Sequence, residues 1–247
     1  NPTSSGDYYV TVTDDCDSTA TCVALVTVID TLPPIALCQN VTLDLQASGM
    51  YSVLASDIDN GSNDACGILE MTVIDGEFDC PDIGQSRIVT LMVTDVNGNS
   101  STCTSNVTLE DNFLPTALCM DISINLVGFG NNPSVTITPA DIDGGSGDAC
   151  GIDFMGIDIE TFNCSDIGPN NVVLSVWDNN GNVNTCTAVV TVLDASGPVA
   201  VCMDATVQLD QNGEVVVTDV DVDGGSFDNC FIASMADVSP NLFTCAD

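Results

Sequence analysis

One ten-residue phrase, Asp-x-Asp-x-Gly-Ser-x-Asp-x-Cys, occurs three times, at Asp57 to Cys66, Asp141 to Cys150 and Asp221 to Cys230. A second phrase follows it, matching Asp95 to Cys103 (DVNGNSSTC) with Asp178 to Cys186 (DNNGNVNTC) and, more loosely, with Asp14 to Cys22 (DDCDSTATC). The period of roughly 80 residues is too long for a solenoid repeat and suits a small domain. The frame is shifted: Tyr8 to Asp14 aligns with Val89 to Asp95, and Cys245 to Asp247 aligns with Cys80 to Asp82 and Cys164 to Asp166. Residues 1–31 are thus expected to be the C-terminal strands of one module, 32–113 and 114–196 complete modules, and 197–247 the N-terminal part of another. Two readings of the ends stay open. The chain is either a window cut from a longer array, or its half-modules are completed by the next copy, head to tail.

Period-two patterning dominates, with β-branched residues throughout. Val89, Leu91 and Val93 form one apolar face, repeated by Val172, Leu174 and Val176 and by Tyr8, Val10 and Val12. The strands that follow carry Cys103, Ser105, Val107 and Leu109, then Cys186, Ala188, Val190 and Val192, then Cys22, Ala24, Val26 and Val28. Asn97-Gly98 and Asn180-Gly181 between paired strands predict tight hairpins whose two central residues take positive φ. Each module opens after a proline (Pro34, Pro115, Pro198) with a strand such as Cys38 to Leu45, continues through Tyr51 to Ala55 and resumes at Ile68 to Ile74. No stretch carries a helical period. Five to seven short strands per module predict an all-β fold of tandem Ig-like β-sandwich modules in a linear array, stapled by disulfides.

Composition excludes much chemistry. One Arg (Arg87), no Lys and no His stand against 36 acidic residues, for a net charge of -35. Without imidazole or lysine there is no histidine general base and no Schiff base, and almost no cation is left for nucleic acid or an anionic membrane. Only five of the acidic residues are Glu (Glu70, Glu77, Glu110, Glu160, Glu214). The rest are Asp, which places the charge in turns. Charge of this size works against a compact state unless something neutralises it, and divalent cations are the natural candidates. The alternative is an acidic surface that keeps an exported protein soluble. The 13 Cys at repeating spacings point to an oxidising compartment. Zinc is a poor alternative, because His is absent and no Cys-x-x-Cys pair occurs. No apolar run approaches the ~20 residues of a membrane helix.

The alternating carboxylates suit calcium, which takes six to eight oxygens. The expected ligands are Asp57, Asp59 and Asp64, then Asp141, Asp143 and Asp148, then Asp221, Asp223 and Asp228. The pattern lacks the third Asp and terminal Glu of an EF-hand, and the same residues also suit turns in which Asp caps backbone amides. Weaker candidates are the hairpin sets Asp95, Asn97, Asn99 and Asp178, Asn180, Asn182. Asp30, Asp111 and Asp194 precede proline-containing linkers, where an ion would stiffen a joint between modules. Asn40, Asn60, Asn99, Asn106 and Asn163 begin Asn-x-Ser/Thr sequons, and Asp17-Ser18-Thr19 and Asp30-Thr31-Leu32 look like O-glycosylation motifs. Trp177 falls on the outward face of its strand, as a packing or inter-module contact or, less simply, a sugar platform.

The motifs P-x-A-L-C at 34 to 38 and 115 to 119 (PVAVC at 198 to 202), D-[IV]-D-x-G-S-x-D-x-C, F-x-C at 78 to 80, 162 to 164 and 243 to 245, and D-x-N-G-N followed by T-C-T cover nearly the whole chain. In these the chain resembles HYR-like modules, relatives of the hyalin repeat that occur in tandem in very large surface proteins of Bacteroidota, including gliding adhesins. The N-terminal segment departs from the pattern, with Cys16 in place of the Asn of D-x-N-G-N. The resemblance implies a secreted Ig-like spacer or adhesive stalk, and it does not imply an enzyme.

Four cysteines per module allow three pairings. Cys66 and Cys80 bracket one excursion, and Cys38 and Cys103 sit on first and last strands that neighbour each other in an Ig-like sandwich. The expected pairs are therefore Cys66 with Cys80 and Cys38 with Cys103, then Cys150 with Cys164 and Cys119 with Cys186, then Cys230 with Cys245. Hyalin-like modules resemble this arrangement. Cys22 closes either onto Cys16 or, between copies, onto Cys202. The function expected is a non-enzymatic repeat unit of an extracellular filament or adhesin stalk, supported by Ca2+ and joined head to tail to neighbouring modules. The rivals are a lectin-like module that binds glycans through calcium, or an accessory region of a larger secreted enzyme.

Overall fold

Alternating apolar and polar residues become strands here wherever a partner strand is at hand. The computed structural model describes residues 5–126, 133–236, 238–239 and 241–245, so that Asp247 of the alignment lies outside the described residues. The chain forms two compact units, Asn1–Phe113 and Leu114–Asp247. The first begins with a hairpin of β1 (Gly6–Thr13) and β2 (Thr19–Val26). There follow β3 (Val41–Asp44), β4 (Met50–Ser52), the one-turn helix α1 (Ala55–Ile58), β5 (Ile68–Ile74), β6 (Glu77–Asp79), β7 (Ser86–Asp95) and β8 (Ser100–Glu110). The second unit repeats this set as β9 (Ile122–Leu126), β10 (Ser134–Thr136), α2 (Pro139–Ile142), β11 (Ile152–Ile157), β12 (Thr161–Asn163), β13 (Gly168–Asp178) and β14 (Val183–Asp194). It then adds β15 (Glu214–Val216), α3 (Asp219–Val222) and β16 (Leu242–Thr244).

Each full set is a β-sandwich of a four-stranded and a two-stranded sheet. The larger sheet has the order β3-β8-β7-β5, repeated as β9-β14-β13-β11, and the smaller pairs β4 with β6 and β10 with β12. The opening strand runs parallel to the closing one, with Val41 opposite Val107 and Ile122 opposite Val190, and the other pairs are antiparallel. A central hairpin flanked by a parallel first strand is the arrangement of an Ig-like sandwich.

Between the sheets lie the apolar faces read from the sequence. Val89, Leu91, Val93, Val107 and Leu109 are fully buried in one module, and Val172, Leu174, Val176, Val190 and Val192 in the next. Phe78 and Phe162 close the core from the smaller sheets, and Ile58 and Ile142 from the one-turn helices. Each such side chain contributes roughly 1.5–3 kcal/mol. The equivalent face of β1 behaves otherwise: Tyr8, Val10 and Val12 are 42%, 51% and 64% exposed, and among the described residues β1 and β2 form a two-stranded sheet of their own.

Three expectations about local structure are corrected. The helices α1 to α3 exist although no helical period does, since four residues, held by an aspartate that accepts the amide of the residue before the helix, leave no period to see. The Asn-Gly turns are three-residue loops: Gly98 donates its amide to the Asp95 carbonyl and Asp95 its amide to the Asn99 carbonyl. Only the glycines take positive φ, 90° at Gly98 and 93° at Gly181, as a type I turn followed by a bulge requires. Finally, Cys38 stands outside a strand, joined by a single bridge to Asp59.

The disulfides divide into one class foreseen and one not. Cys38 pairs with Cys103 and Cys119 with Cys186, tying each opening segment to the closing strand. Cys164, however, pairs with Cys230, which joins the 114–196 module to the segment after it. The expected pairs Cys150–Cys164 and Cys230–Cys245 are therefore wrong, as is Cys66–Cys80, because Cys66 and Cys245 are free thiols while Cys80 and Cys150 are both disulfide-bonded. The reason is the length of the sandwich. Cys66 sits just before Ile68, which faces Asp95 at the end of β7, whereas Cys80 sits just before the start of β7. A strand of 10 residues spans about 30 Å, and a disulfide needs Cα atoms within about 7 Å. Cys16 and Cys22 are also free, since Cys16 lies in the turn and Cys22 pairs across the hairpin with Val10.

Beside the Cys164–Cys230 link, the Asn229 side chain is buried, and neither amide atom has a hydrogen-bond partner among the described residues. The other two modules carry Ala65 and Ala149 at this position. An unsatisfied buried amide costs about 1–3 kcal/mol. Asn229→Ala is expected to raise the thermal midpoint by a few degrees in calorimetry; a lower midpoint would show that the amide has a partner after all.

Candidate metal centre

The nine loop aspartates first of all build turns. Asp57, Asp141 and Asp221 cap the one-turn helices: their Oδ2 atoms accept the amides of Leu54 (2.8 Å), Thr138 (2.7 Å) and Thr218 (2.9 Å). The hydroxyls of Tyr51, Thr138 and Thr218 donate to the same oxygens. Asp59, Asp143 and Asp223 accept from the amides of Ser62, Ser146 and Ser226 at 2.8–3.0 Å, which fixes the Gly-Ser turn. Asp64, Asp148 and Asp228 accept from the amides of Cys66, Cys150 and Cys230 at 2.7–2.9 Å, which orients those cysteines. Each side chain thus turns to its own stretch of backbone. Among the described residues, no three carboxylates of one such loop have oxygens within 4.8 Å of one another.

The hairpin sets follow the same logic. Asp95 is fully buried; its Oδ1 accepts from the amides of Asn97 and Asn99, and its Oδ2 from the Asn99 side chain at 2.7 Å. Asp178 repeats this with Asn180 and Asn182. Sequence reading missed a further copy, in which Asp210 accepts from the amides of Asn212 and Glu214 and from the Asn212 side chain. The Asp-x-Asn-Gly text at Asp210 to Gly213 was the available signal. In the linkers, Asp30, Asp111 and Asp194 each accept the amide two residues on, from Leu32, Phe113 and Ser196.

One gathering of ligand atoms draws on different segments. Asp30 of the linker meets Asp64 and Cys66 of the following module, with their ligand atoms within 4.8 Å of one another. The nearby hairpin turn binds the same linker, as the Asn99 side chain donates to the carbonyls of Asp30 (3.3 Å) and Leu32 (3.4 Å) and Ser101 donates to Pro34 (2.6 Å). Hydrogen bonding to Asp30, then burial and the charges of Asp30, Asp64 and Asp95 push the Cys66 thiol above its ordinary value. The carboxylates are hard oxygen donors of the kind calcium takes, whereas a thiol is soft and suits other metals. Asp30 and Asp64 therefore fit a calcium shell as part of its six to eight oxygens, and Cys66 lies beside it rather than in it. A second cluster, Asp14, Asp15 and Cys16, lies exposed in the β1–β2 turn, where Asp14 already accepts from the amides of Cys16 and Ser18.

Trp177 finds a partner within its own sheet. It stacks on Phe154, its neighbour across β11 and β13, with ring centroids 4.2 Å apart. Arg87, the lone cation, binds Asp82 at 2.8 Å and lies over Phe78.

No protein-family model matches the chain, and no curated protein sequence does. Among solved structures it is similar to the first four extracellular cadherin domains of protocadherin gamma B7, at 8% identity over 88% of this chain and 65% of that one, with a TM-score of 0.31. It is also similar to an I-band fragment of titin, at 10% identity over 76% of this chain and 75% of that one, with a TM-score of 0.27. A third is the Ca2+-stabilised adhesin with which an Antarctic bacterium binds ice, at 14% identity over 77% of this chain and 57% of that one, with a TM-score of 0.26. The chain spans less than two thirds of the first-named protocadherin and half of protocadherin gamma B2. At TM-scores this low the likeness carries no argument, and the architecture rests on the strand order and register given above.

The turn hydrogen bonds leave a titration signature. The Thr138 amide and hydroxyl hold Asp141 below its ordinary value, as those of Thr218 do Asp221. The Ser146 and Ser226 hydroxyls and amides do the same for Asp143 and Asp223, and the Glu214 amide for Asp210. At Asp59 and Asp95 burial works upward, and the bonds from Ser62 and Asn99 outweigh it. Because the folded values are depressed, the stability these groups contribute is fully present above about pH 3.9 and is lost as the pH falls through the folded values. A pH titration of carboxyl carbons by NMR should show these aspartates titrating below that value; titration at or above it would refute the capping role.

Proposed function

We infer that the chain is a structural, non-enzymatic segment of a secreted array, an extracellular filament or adhesin stalk whose joints are stiffened by calcium. The observation that carries this reading is the Cys164–Cys230 disulfide, which ties one module to the next instead of closing a module on itself. A covalent staple across a joint resists bending and pulling, and has no evident use in a set of independently acting domains. Disulfides of this density favour an oxidising, extracellular location. The tight turns support a load-bearing role too, since buried Asp95 and Asp178 lock the hairpin tips.

Calcium enters as the neutralising partner. With a net charge of -35, self-repulsion works against compaction, and a bound divalent ion offsets it where carboxylates from two segments meet. Asp30 and Asp64 are that meeting point in the first unit. The remaining loop aspartates, with Asp111 and Asp194, are further ligands in this reading, each needing a partner carboxylate or water beyond its own turn.

A second reading, a calcium-dependent carbohydrate-binding adhesin, is favoured by one feature: Phe154 is half exposed and backed by Trp177, as in a sugar-stacking platform. Unchanged Trp177 fluorescence across a panel of oligosaccharides would remove it.

Chelation tests the leading reading. A ligand that binds only the folded state stabilises it by about 2.7 kcal/mol at a hundredfold excess over Kd. Removing calcium with EDTA should lower the thermal midpoint and speed proteolysis in the linker at Thr31 to Pro34. The double substitution Asp30→Asn and Asp64→Asn should abolish much of that response. A midpoint and cleavage rate unmoved by chelation would overturn calcium stiffening.

A further inference from the structure

The two complete modules differ together at three neighbouring outward positions of the larger sheet. In the 32–113 module Glu70 of β5 faces Thr94 of β7, and Thr72 follows Glu70 on the same side of its strand. In the 114–196 module the same places hold Phe154, Trp177 and Gly156. The two rings stack with centroids 4.2 Å apart and planes within 7° of each other. A Cβ at Gly156 would lie 3.6 Å from Trp177 and 3.8 Å from Phe154, so a longer side chain there would press on both ring edges. Glycine keeps them open. Stacking occupies one face of the Phe154 ring, and the side chain is still 51% exposed. An acid and two threonines in one module thus correspond to a bare apolar ledge in the other.

The rest of that face is neutral. The outward positions of β13 and β14 alternate with the buried valines and carry no charged residue, in a chain with 36 acidic ones. Beside the rings Gly156 faces Ser175 and Ser175 faces Thr185, and in the next row Val173 faces Thr187. At the margins, just after β11 and just before β9, Asp158 and Asp121 turn their carboxylates to the amides of Val173 (2.8 Å) and Val189 (2.7 Å). The face therefore offers an aromatic surface next to hydroxyls. This chemistry selects among partners. A polyanion is repelled by a chain of net charge -35, and so is a second copy of it. A polycation settles on the acidic loops instead. A neutral pyranose fits, because its axial C–H bonds form an apolar side that stacks on an aromatic ring, while its hydroxyls exchange hydrogen bonds with Ser175 and Thr185.

We propose that the outer face of β11, β13 and β14 binds a neutral polysaccharide, with one pyranose stacked on Phe154 and its neighbours laid over Ser175 and Thr185. The inference deepens the carbohydrate reading given above and rests on it. It places the ligand on a flat sheet face instead of the acidic loops, and it leaves calcium out of the contact. Trp177 acts as a positioning residue that backs the Phe154 ring, and Gly156 keeps the ledge clear. The 32–113 module, with Glu70, Thr72 and Thr94 in these places, does not bind.

The test is native affinity electrophoresis of the 247-residue chain, with hydroxyethylcellulose, xylan or galactomannan cast in the gel. At least one of these neutral polysaccharides should retard the protein, equally with calcium and with EDTA and equally at low and high salt. Giving the face the residues of the other module, by Phe154→Glu, Gly156→Thr and Trp177→Thr together, should abolish the retardation. Gly156→Thr alone leaves both rings in place and should weaken binding at least about tenfold, with an unchanged thermal midpoint showing that the fold is kept. Thr94→Ala in the other module should alter nothing. No retardation in any gel, or retardation that survives the triple substitution, would overturn the proposal. Retardation by chitosan alone, lost at high salt, would do the same by assigning binding to the acidic loops. Retardation by a neutral polysaccharide that disappears in EDTA would also overturn it, and would return the sugar to a calcium loop. None of these outcomes touches calcium stiffening, which is read from the thermal midpoint of the sugar-free protein on chelation.

Discussion

The central hairpin of the larger sheet is the constraint on which everything else in this molecule depends. In the complete modules it supplies both hydrogen-bonding edges for the outer strands and the buried valine and leucine face on which the smaller sheet rests. Among the described residues the opening strand pairs only with the closing one, runs parallel to it, and reaches it only after the rest of the module has been laid down. Such long-range parallel pairing repays its loop-closure entropy late. The Cys38–Cys103 and Cys119–Cys186 disulfides act at that point, with sequence separations of 65 and 67 residues. They hold the segment that has the fewest noncovalent reasons to stay.

Aspartate does the work here that larger and more varied side chains do elsewhere. A module of about 80 residues cannot bury a large core, so much of its definition has to come from its loops. One Asp carboxylate, accepting two amides and often a hydroxyl, sets a turn that would otherwise stay loose. Asp95 and Asp178 do so while almost entirely buried. The consequence is that structure and charge cannot be separated in this chain. Each turn defined in this way adds a negative charge, and Arg87 is the lone side-chain cation. The charge is thus a consequence of how the loops are built, and the linker Asp30 and Asp64 bring two such carboxylates together.

What the sequence made legible was whatever depends on pattern. Strand β5 is Ile68 to Ile74 as alternation predicts, and the buried faces of β7 and β13 hold the residues that period two selects. What it hid depends on length and on partners. A four-residue helix such as Pro139 to Ile142 has no period, and its signal is the carboxylate of Asp141 three residues after Thr138. The Asn97-Gly98 dipeptide names a turn without revealing that Asp95 lengthens it by one residue through its grip on Asn99. The nine loop aspartates suited turn building and metal binding equally well on paper. Only coordinates reveal that each faces its own backbone, and that Asp64 meets a carboxylate from outside its own loop.

The cysteines carry the same lesson furthest. Cys66 and Cys80 are close in sequence and bracket a single excursion, which is a good reason to pair them in a compact fold. A sandwich is not compact along its strands, because β7 sets its two ends about 30 Å apart. A cysteine at one end is then nearer to the adjoining module than to its own distal loop, and the link made by Cys164 and Cys230 follows from that distance. Closing a loop inside a module would restrict a chain that the Cys119–Cys186 bond already restricts. Closing one across a joint restrains a degree of freedom that no strand pairing within a single sandwich can reach.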